Sequence, residues 1–181
     1  MYNTISKELW SQFGAALDMF ENAIAKCPDS LWTYNYSIGG DSKDAKHIDE
    51  LRGSFWYIAF HTLFFTDYYL DATPENFKTP DKFNYKEEDI DEIMPGRIFS
   101  KAELLEYTAH CKKKLNLLLK DMDETKAALR WKNPWKDYSM IEITMYNMRH
   151  VMHHTGQLNM LLGKESHDLP IWVSRTKNIL I

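Results

Sequence analysis

Two cysteines, Cys27 and Cys111, are all that this chain of 181 residues contains. They are too few for a disulfide framework and show no zinc-ligand spacing. They fit a reducing, cytoplasmic setting, and each reads as a small buried or half-buried hydrophobe. An excess of one charge is missing too. Against 26 Asp and Glu stand 22 Lys and Arg, a formal net charge of −4, which leaves no global basic surface for nucleic acid. The one basic cluster, Lys112-Lys113-Lys114, lies beside a helical apolar stripe and reads as a solvated face. No apolar run is long enough to suit a membrane. The greasiest segment, "SFWYIAFHTLFFTDYYL" at 54–70, is short for a span and carries His61 and Asp67, so a buried helix is expected. The opening "MYNTISKELWSQF" carries charge early and lacks the apolar core of a signal peptide.

Strand periodicity is lacking as well, and four helix-length segments fill the chain. The length, with 44% hydrophobic residues, favours one all-α domain over residues 1–181. The first helix is expected from about Thr4 to Lys26, with Leu9, Phe13, Ala16, Leu17, Phe20 and Ile24 at helical spacing and Pro28 as its stop. "YSIGGDSKD" supplies a loop. The second helix centres on 54–70, with a start that could lie nearer His47, and apolar residues nearly surround it. It ends near Asp71, since Pro74 and Pro80 forbid regular helix in "ATPENFKTPDKF". Ser100 and Glu103 form a capping box that starts the third helix; Leu104, Thr108, Cys111, Leu115, Leu118 and Met122 then repeat at three and four, the seam of a bundle helix. Ser139 and Glu142 repeat the device for a fourth helix that runs to about Leu162, with Gly163 as its stop. The tail "KESHDLPIWVSRTKNILI" is expected to be irregular, with Ile171 and Trp172 packing back. The connection from Ala72 to Phe99 is long enough to travel the length of a bundle, so the second and third helices could run parallel.

The chemistry concentrates in "NMRHVMHHTGQLNML", residues 147–161. Helical rotation separates His150 from His154 by only about 40°, and both fall on or beside the apolar arc of the fourth helix. His153 lies on the other side of His150, toward the surface. Two histidines one turn apart can hold one metal ion, each giving a nitrogen lone pair; alone, such a pair reads first as two ordinary hydrogen-bonded histidines. A third ligand has to come from another helix. His61 is the candidate, because a histidine among Phe60, Leu63, Phe64 and Phe65 must find a partner there, and a metal or a core hydrogen bond would each serve. A zincin is excluded, since His150 is followed by Val151 rather than the glutamate of H-E-x-x-H. A di-iron carboxylate bundle is excluded too, since no histidine has glutamate three residues before it. What remains is a mononuclear site rich in histidine.

"FWYIAFHTLFFTDYYL", "SKAELLEYTAHCKKKL" and "MYNMRHVMHHTGQLNMLL", taken in order, resemble the DinB-like four-helix-bundle proteins of the DinB/YfiT superfamily. The resemblance covers most of the chain, including the long connection. It implies an up-down-down-up bundle, often a homodimer, with a divalent metal ion, zinc or nickel, near one end. Carried over by position, the metal ligands are His61, His150 and His154; some relatives have glutamate where His150 stands. Relatives include transferases and isomerases that activate a low-molecular-weight thiol, and others resemble metal-dependent hydrolases. The family name records a link to DNA damage and implies no DNA binding.

The expected function is therefore that of a divalent-metal protein which activates a small thiol or water for transfer or hydrolysis of a small-molecule substrate. The alternative is a non-catalytic, stress-related helical bundle with a structural or incidental metal, and a metal-free bundle is the third possibility. No general base can be named. Tyr57 and Tyr146 stand one turn before His61 and His150 and are pocket candidates, though each also suits a core aromatic. Gln157 either lines the site or solvates its rim. Gly156 is read as a packing residue, with close approach of a helix or substrate as the other option. No serine or cysteine nucleophile with a matched base is apparent.

Overall fold

The computed structural model describes residues 3–37, 39–41, 50–83, 85–86, 94–120, 122–165 and 168–178. Helix α1 spans Thr4–Lys26, capped by Asn3, whose side chain accepts from the Ser6 N–H at 2.9 Å. Its inner face carries Trp10, Phe13, Leu17, Phe20 and Ile24. The helix ends where Pro28 begins a second, one-turn helix, α2 (Asp29–Trp32). Helix α3 spans Phe55–Tyr69 and is buried at every residue but Ile58 and His61, as its continuous apolar composition requires. The more upstream start near His47 lies outside the described residues.

Helix α4 (Lys101–Leu119) begins at the expected capping box. Ser100 Oγ accepts from the Glu103 N–H at 3.3 Å, and Glu103 Oε2 accepts from the Ser100 N–H at 2.8 Å. Arg97 forks onto the same carboxylate. Leu104, Thr108, Cys111 and Leu115 are buried along the predicted seam, Leu118 is half-buried, and Met122 is buried just beyond the helix. A short helix α5 (Glu124–Ala128) follows, and then α6 (Met140–Glu165). The second capping box is half formed: Ser139 Oγ accepts from the Glu142 N–H at 3.2 Å, while Ser139 itself ends a strand.

The four long helices share one apolar core. Helices α1 and α3 each pack against both α4 and α6. Most of the large aromatic side chains are in that core, with Phe13, Phe20, Phe55, Phe60, Phe99 and Trp131 fully buried. No helix among the described residues is long and apolar enough to cross a membrane.

Several expectations need correction. Among the described residues are three antiparallel ladders: β1 (Tyr34–Asn35) with β2 (Gly40–Asp41), β3 (Tyr85–Lys86) with β4 (Met94–Pro95), and β5 (Arg130–Lys132) with β6 (Asp137–Ser139). Strands of two or three residues are too short to leave a period-2 pattern. Helix α6 does not stop at Gly163. The last turn is held by Glu165, which accepts from the Tyr36 hydroxyl, and by Lys164, whose Nζ lies 4.6 Å above the Tyr36 ring. In the tail, Ile171 and Trp172 are 79% and 71% exposed. The tail returns onto α1 through other residues. Asn178 O accepts from Trp10 Nε1 at 2.8 Å, and Thr176 sits over Gly14, where a Cβ would come within 2.7 Å of it. The lysine run is not simply solvated: Lys112 pairs with Asp18 and Glu21, and Lys114 with Asp67 and Asp71, while Lys113 is exposed.

Candidate metal centre

Asn147 sets the register of α6 against α3. It is fully buried, and its Nδ2 donates to the Thr66 carbonyl at 3.0 Å. With Thr66 opposite Asn147, His61 faces the next turns of α6, where His150 and His154 stand. One ligand atom from each of His61, His150 and His154 falls within 4.8 Å of the others. Ring centroids are 5.5 Å apart for His61 and His150, 4.9 Å for His61 and His154, and 4.5 Å for His150 and His154.

The surroundings keep all three rings uncharged. Burial pushes His61 down to about 3, reinforced by His154 and Arg52. His150 is pushed down to about 2, again by burial first and then by its histidine neighbours. Burial also lowers His154, against the opposing hydrogen bond that its ring gives to Gln157. Neutral imidazole is the form with a free lone pair, so the set is poised to bind a cation without first releasing protons.

Two details fit a metal ion to these residues. His150 Nδ1 is one of three buried side-chain polar atoms among the described residues without a hydrogen-bond partner; the others are the amide oxygens of Asn147 and Asn159. A buried imidazole nitrogen left unpaired costs about 1–3 kcal/mol, and ligation through Nδ1 would remove that cost. His154 Nδ1 lies 2.6 Å from Gln157 Oε1. In the tautomer that donates this bond, Nε2 keeps its lone pair, the arrangement in which an outer partner orients a metal-binding histidine. Nitrogen donors alone suit zinc, nickel, copper and iron alike.

A cavity of about 270 Å³ opens beside the cluster, lined by Arg52, Tyr57, Ile58, His61, His154 and Gln157. The two α3 residues that escape full burial, Ile58 and His61, both face it. Of the three pocket candidates, Tyr57 and Gln157 line this cavity. Tyr146 does not line the cavity; its ring packs against Tyr69 and Tyr138 at 5.3 and 5.9 Å. His153 is exposed, 5.0 Å from the His154 ring and outside the cluster. Gly156 has nothing within 4 Å of where its Cβ would be, so no helix approaches it closely. Arg52 is the residue the sequence did not reveal. A larger groove of about 940 Å³ runs beside α1 and α4, away from the histidines. Neither cysteine offers a nucleophile: burial pushes the Cys27 thiol up to about 12 and raises Cys111 well above its usual range.

A mostly helical fold with a half-buried three-histidine group that could hold a metal defines the class. The model of the DinB superfamily matches residues 12–158, and the chain belongs to that superfamily. Among solved structures it is similar to the crystal structure of a DinB-like protein, YjoA, from Bacillus subtilis. The two share 14% identity with a TM-score of 0.58, over 96% of this chain and 100% of that one. No curated protein matches the sequence.

Proposed function

We propose that this DinB-superfamily protein is a divalent-metal enzyme in which His61, His150 and His154 hold zinc or nickel, and that it acts on a small molecule by activating a low-molecular-weight thiol or water for transfer or hydrolysis. The observation that carries this is the convergence of three half-buried, neutral imidazoles from two helices onto one point beside a cavity. When bound, a divalent cation supplies Lewis acidity, lowering the pKa of a thiol or water that it binds. Gln157 fixes the His154 ring, His61 reaches the cavity from the one open side of α3, and Tyr57 and Ile58 form the wall against which a substrate rests. An opening beside the ligands, rather than a closed shell of side chains, favours a catalytic over a purely structural ion.

The chain order of the helices is, on this proposal, up-down-down-up. Pairings that support it run in opposite senses between α1 and α4 (Asn3 with Met122, Lys101 with Cys27) and between α3 and α6 (Thr66 with Asn147, His61 with His154). They run in the same sense between α3 and α4, where Leu63 meets Cys111 and Asp71 meets Lys114.

Cobalt(II) substitution tests the function. A cobalt-loaded protein with an accessible ion should develop thiolate charge-transfer absorption on adding a small thiol. A cobalt spectrum indifferent to thiols and to pH would contradict activation of either nucleophile and leave a structural ion.

A further inference from the structure

The chain as a whole is acidic, with a formal net charge of −4, yet the groove beside α1 and α4 is cationic. Among the described residues Lys112, Lys113, Lys120 and Lys177 line it, against one carboxylate, Glu21. Lys112 is neutralised, with its Nζ 2.6 Å from Glu21 and 2.7 Å from Asp18, which lies behind the lining. Lys113, Lys120 and Lys177 are exposed, and among the described residues their ammonium groups have no ion pair or hydrogen bond. Three unopposed positive charges therefore face one cavity.

The fold fixes where they stand. Lys113 and Lys120 are two turns apart along α4, about 10 Å at about 1.5 Å per residue, with Leu117, 59% exposed, between them. Lys177 comes from the other bank, where the tail is strapped to α1. Thr176 gives its N–H to the Ser11 carbonyl at 3.1 Å and its hydroxyl to Asp18 at 2.6 Å. Asn178 accepts from Trp10 Nε1 at 2.8 Å and gives its Nδ2–H to Asp18 at 3.1 Å. Lys177 is thus held between two anchored neighbours. Trp10 and Ala109 add apolar surface to the lining beside Leu117.

We propose that this groove binds a small organic polyphosphate, its phosphates spread among Lys113, Lys120 and Lys177 and its carbon skeleton resting on Leu117 and Ala109. Phosphate suits the cations present. All are lysines, compact charges with rotatable donors, and none has the planar fork with which arginine matches a carboxylate. Several phosphates, rather than one, answer three charges drawn from two banks. The volume of about 940 Å³ lies within the range of about 300–1,000 Å³ usual for small-molecule sites. A helical peptide fits less well. At a diameter of about 10–12 Å, one spanning Ala109 to Lys120, about 16 Å, would occupy on the order of 1,300–1,800 Å³. The metal centre plays no part here, since its histidines line a different cavity.

Isothermal titration calorimetry on the full chain, with inorganic pyrophosphate and isopentenyl pyrophosphate as probes, tests this. A Lys113→Gln, Lys120→Gln double variant is expected to weaken pyrophosphate binding by about 10–100-fold, the range for hydrogen bonds to charged groups. A Lys78→Gln, Lys132→Gln variant changes the net charge equally at exposed lysines outside the groove and should bind as the wild type does. The isopentenyl ester should bind more tightly than pyrophosphate, a gain that Leu117→Asn removes. Equal weakening by the two double variants would reduce the effect to general charge and overturn the proposal. Pyrophosphate binding that survives Lys113→Gln, Lys120→Gln would place it elsewhere, a metal at the histidines included, and would overturn it too. So would an absence of binding, or hexaglutamate bound as tightly as pyrophosphate through the same lysines, which would make the groove a surface for acidic protein segments.

Discussion

His154 Nδ1 and Gln157 Oε1 lie 2.6 Å apart across one turn of α6. That contact ties a predicted ligand to a predicted rim residue and gives Gln157 a stated task, holding the ring. Gln157→Ala should lower zinc affinity by about 10–100-fold, the usual effect of removing an outer partner of a metal-binding histidine. The thermal midpoint should stay close to wild type. Chelator competition reads the affinity, and an unchanged value would remove Gln157 from the site.

His61 and His150 give the metal-free protein an acid-sensitive stability. Their folded pKa values, near 3 and 2, lie below the unfolded value of about 6.5. Above that value both states are neutral and stability is at its full level. Below it the unfolded chain takes up protons that the folded chain refuses, so stability falls by up to about 1.4 kcal/mol per pH unit for each group. Urea unfolding at pH 7 and pH 5 should show the decline, and His150→Leu should make it shallower. A flat profile across that window would contradict the buried, neutral state of these rings.

Asp67 is a fully buried carboxylate at the junction of α3 and α4. Burial alone would raise its pKa, but hydrogen bonds from His110 and Lys114 outweigh that and hold it below the usual range. Tyr107 Oη donates to it as well, at 3.0 Å. Asp67→Ala leaves the partly buried Lys114 with one carboxylate, Asp71, in place of two. Lys114 keeps Asp71 and Tyr107 Oη loses this acceptor, so the expected loss is about 1–3 kcal/mol, measured by chemical denaturation. A loss under about 1 kcal/mol would make the pair equivalent to a surface ion pair.

The two glycines nearest the site should respond with opposite signs. Gly156 is exposed within α6, with open space where a Cβ would go. Gly156→Ala should therefore stabilise by about 1 kcal/mol, or about 2–4 °C in thermal midpoint for a chain of this size. Gly53→Ala drives a Cβ into Asn35 and Ser37 and should destabilise by about 1–3 kcal/mol. Equal effects of the two substitutions would undo the assignment of Gly53 as a close-packing position.

What the sequence revealed and what it concealed divide along physical lines. The end of α1 and the start of α4 were legible because Pro28, Ser100 and Glu103 act within a few residues of the positions they fix. His61, His150 and His154 were legible because a polar side chain on an apolar arc has to be accounted for. The continuation of α6 past Gly163 was not, since it depends on Tyr36, more than a hundred residues away. Tyr146 has the right spacing from His150, yet Tyr69 and Tyr138 draw its ring aside, a choice made by tertiary packing. Arg52 left no pattern at all, because Asn35 and Gly53 place it through a turn, and a turn carries no period.

The central claim is a shared metal site. Equilibrium dialysis of the untagged protein against zinc, and separately nickel, beside a His61→Ala, His150→Ala, His154→Ala triple variant, tests it most directly. A single ion per chain in the wild type, absent from a variant that retains its helical circular dichroism, is the expected result. No uptake by the wild type, or equal uptake by the variant, would contradict the metal centre and return the three histidines to ordinary packing roles.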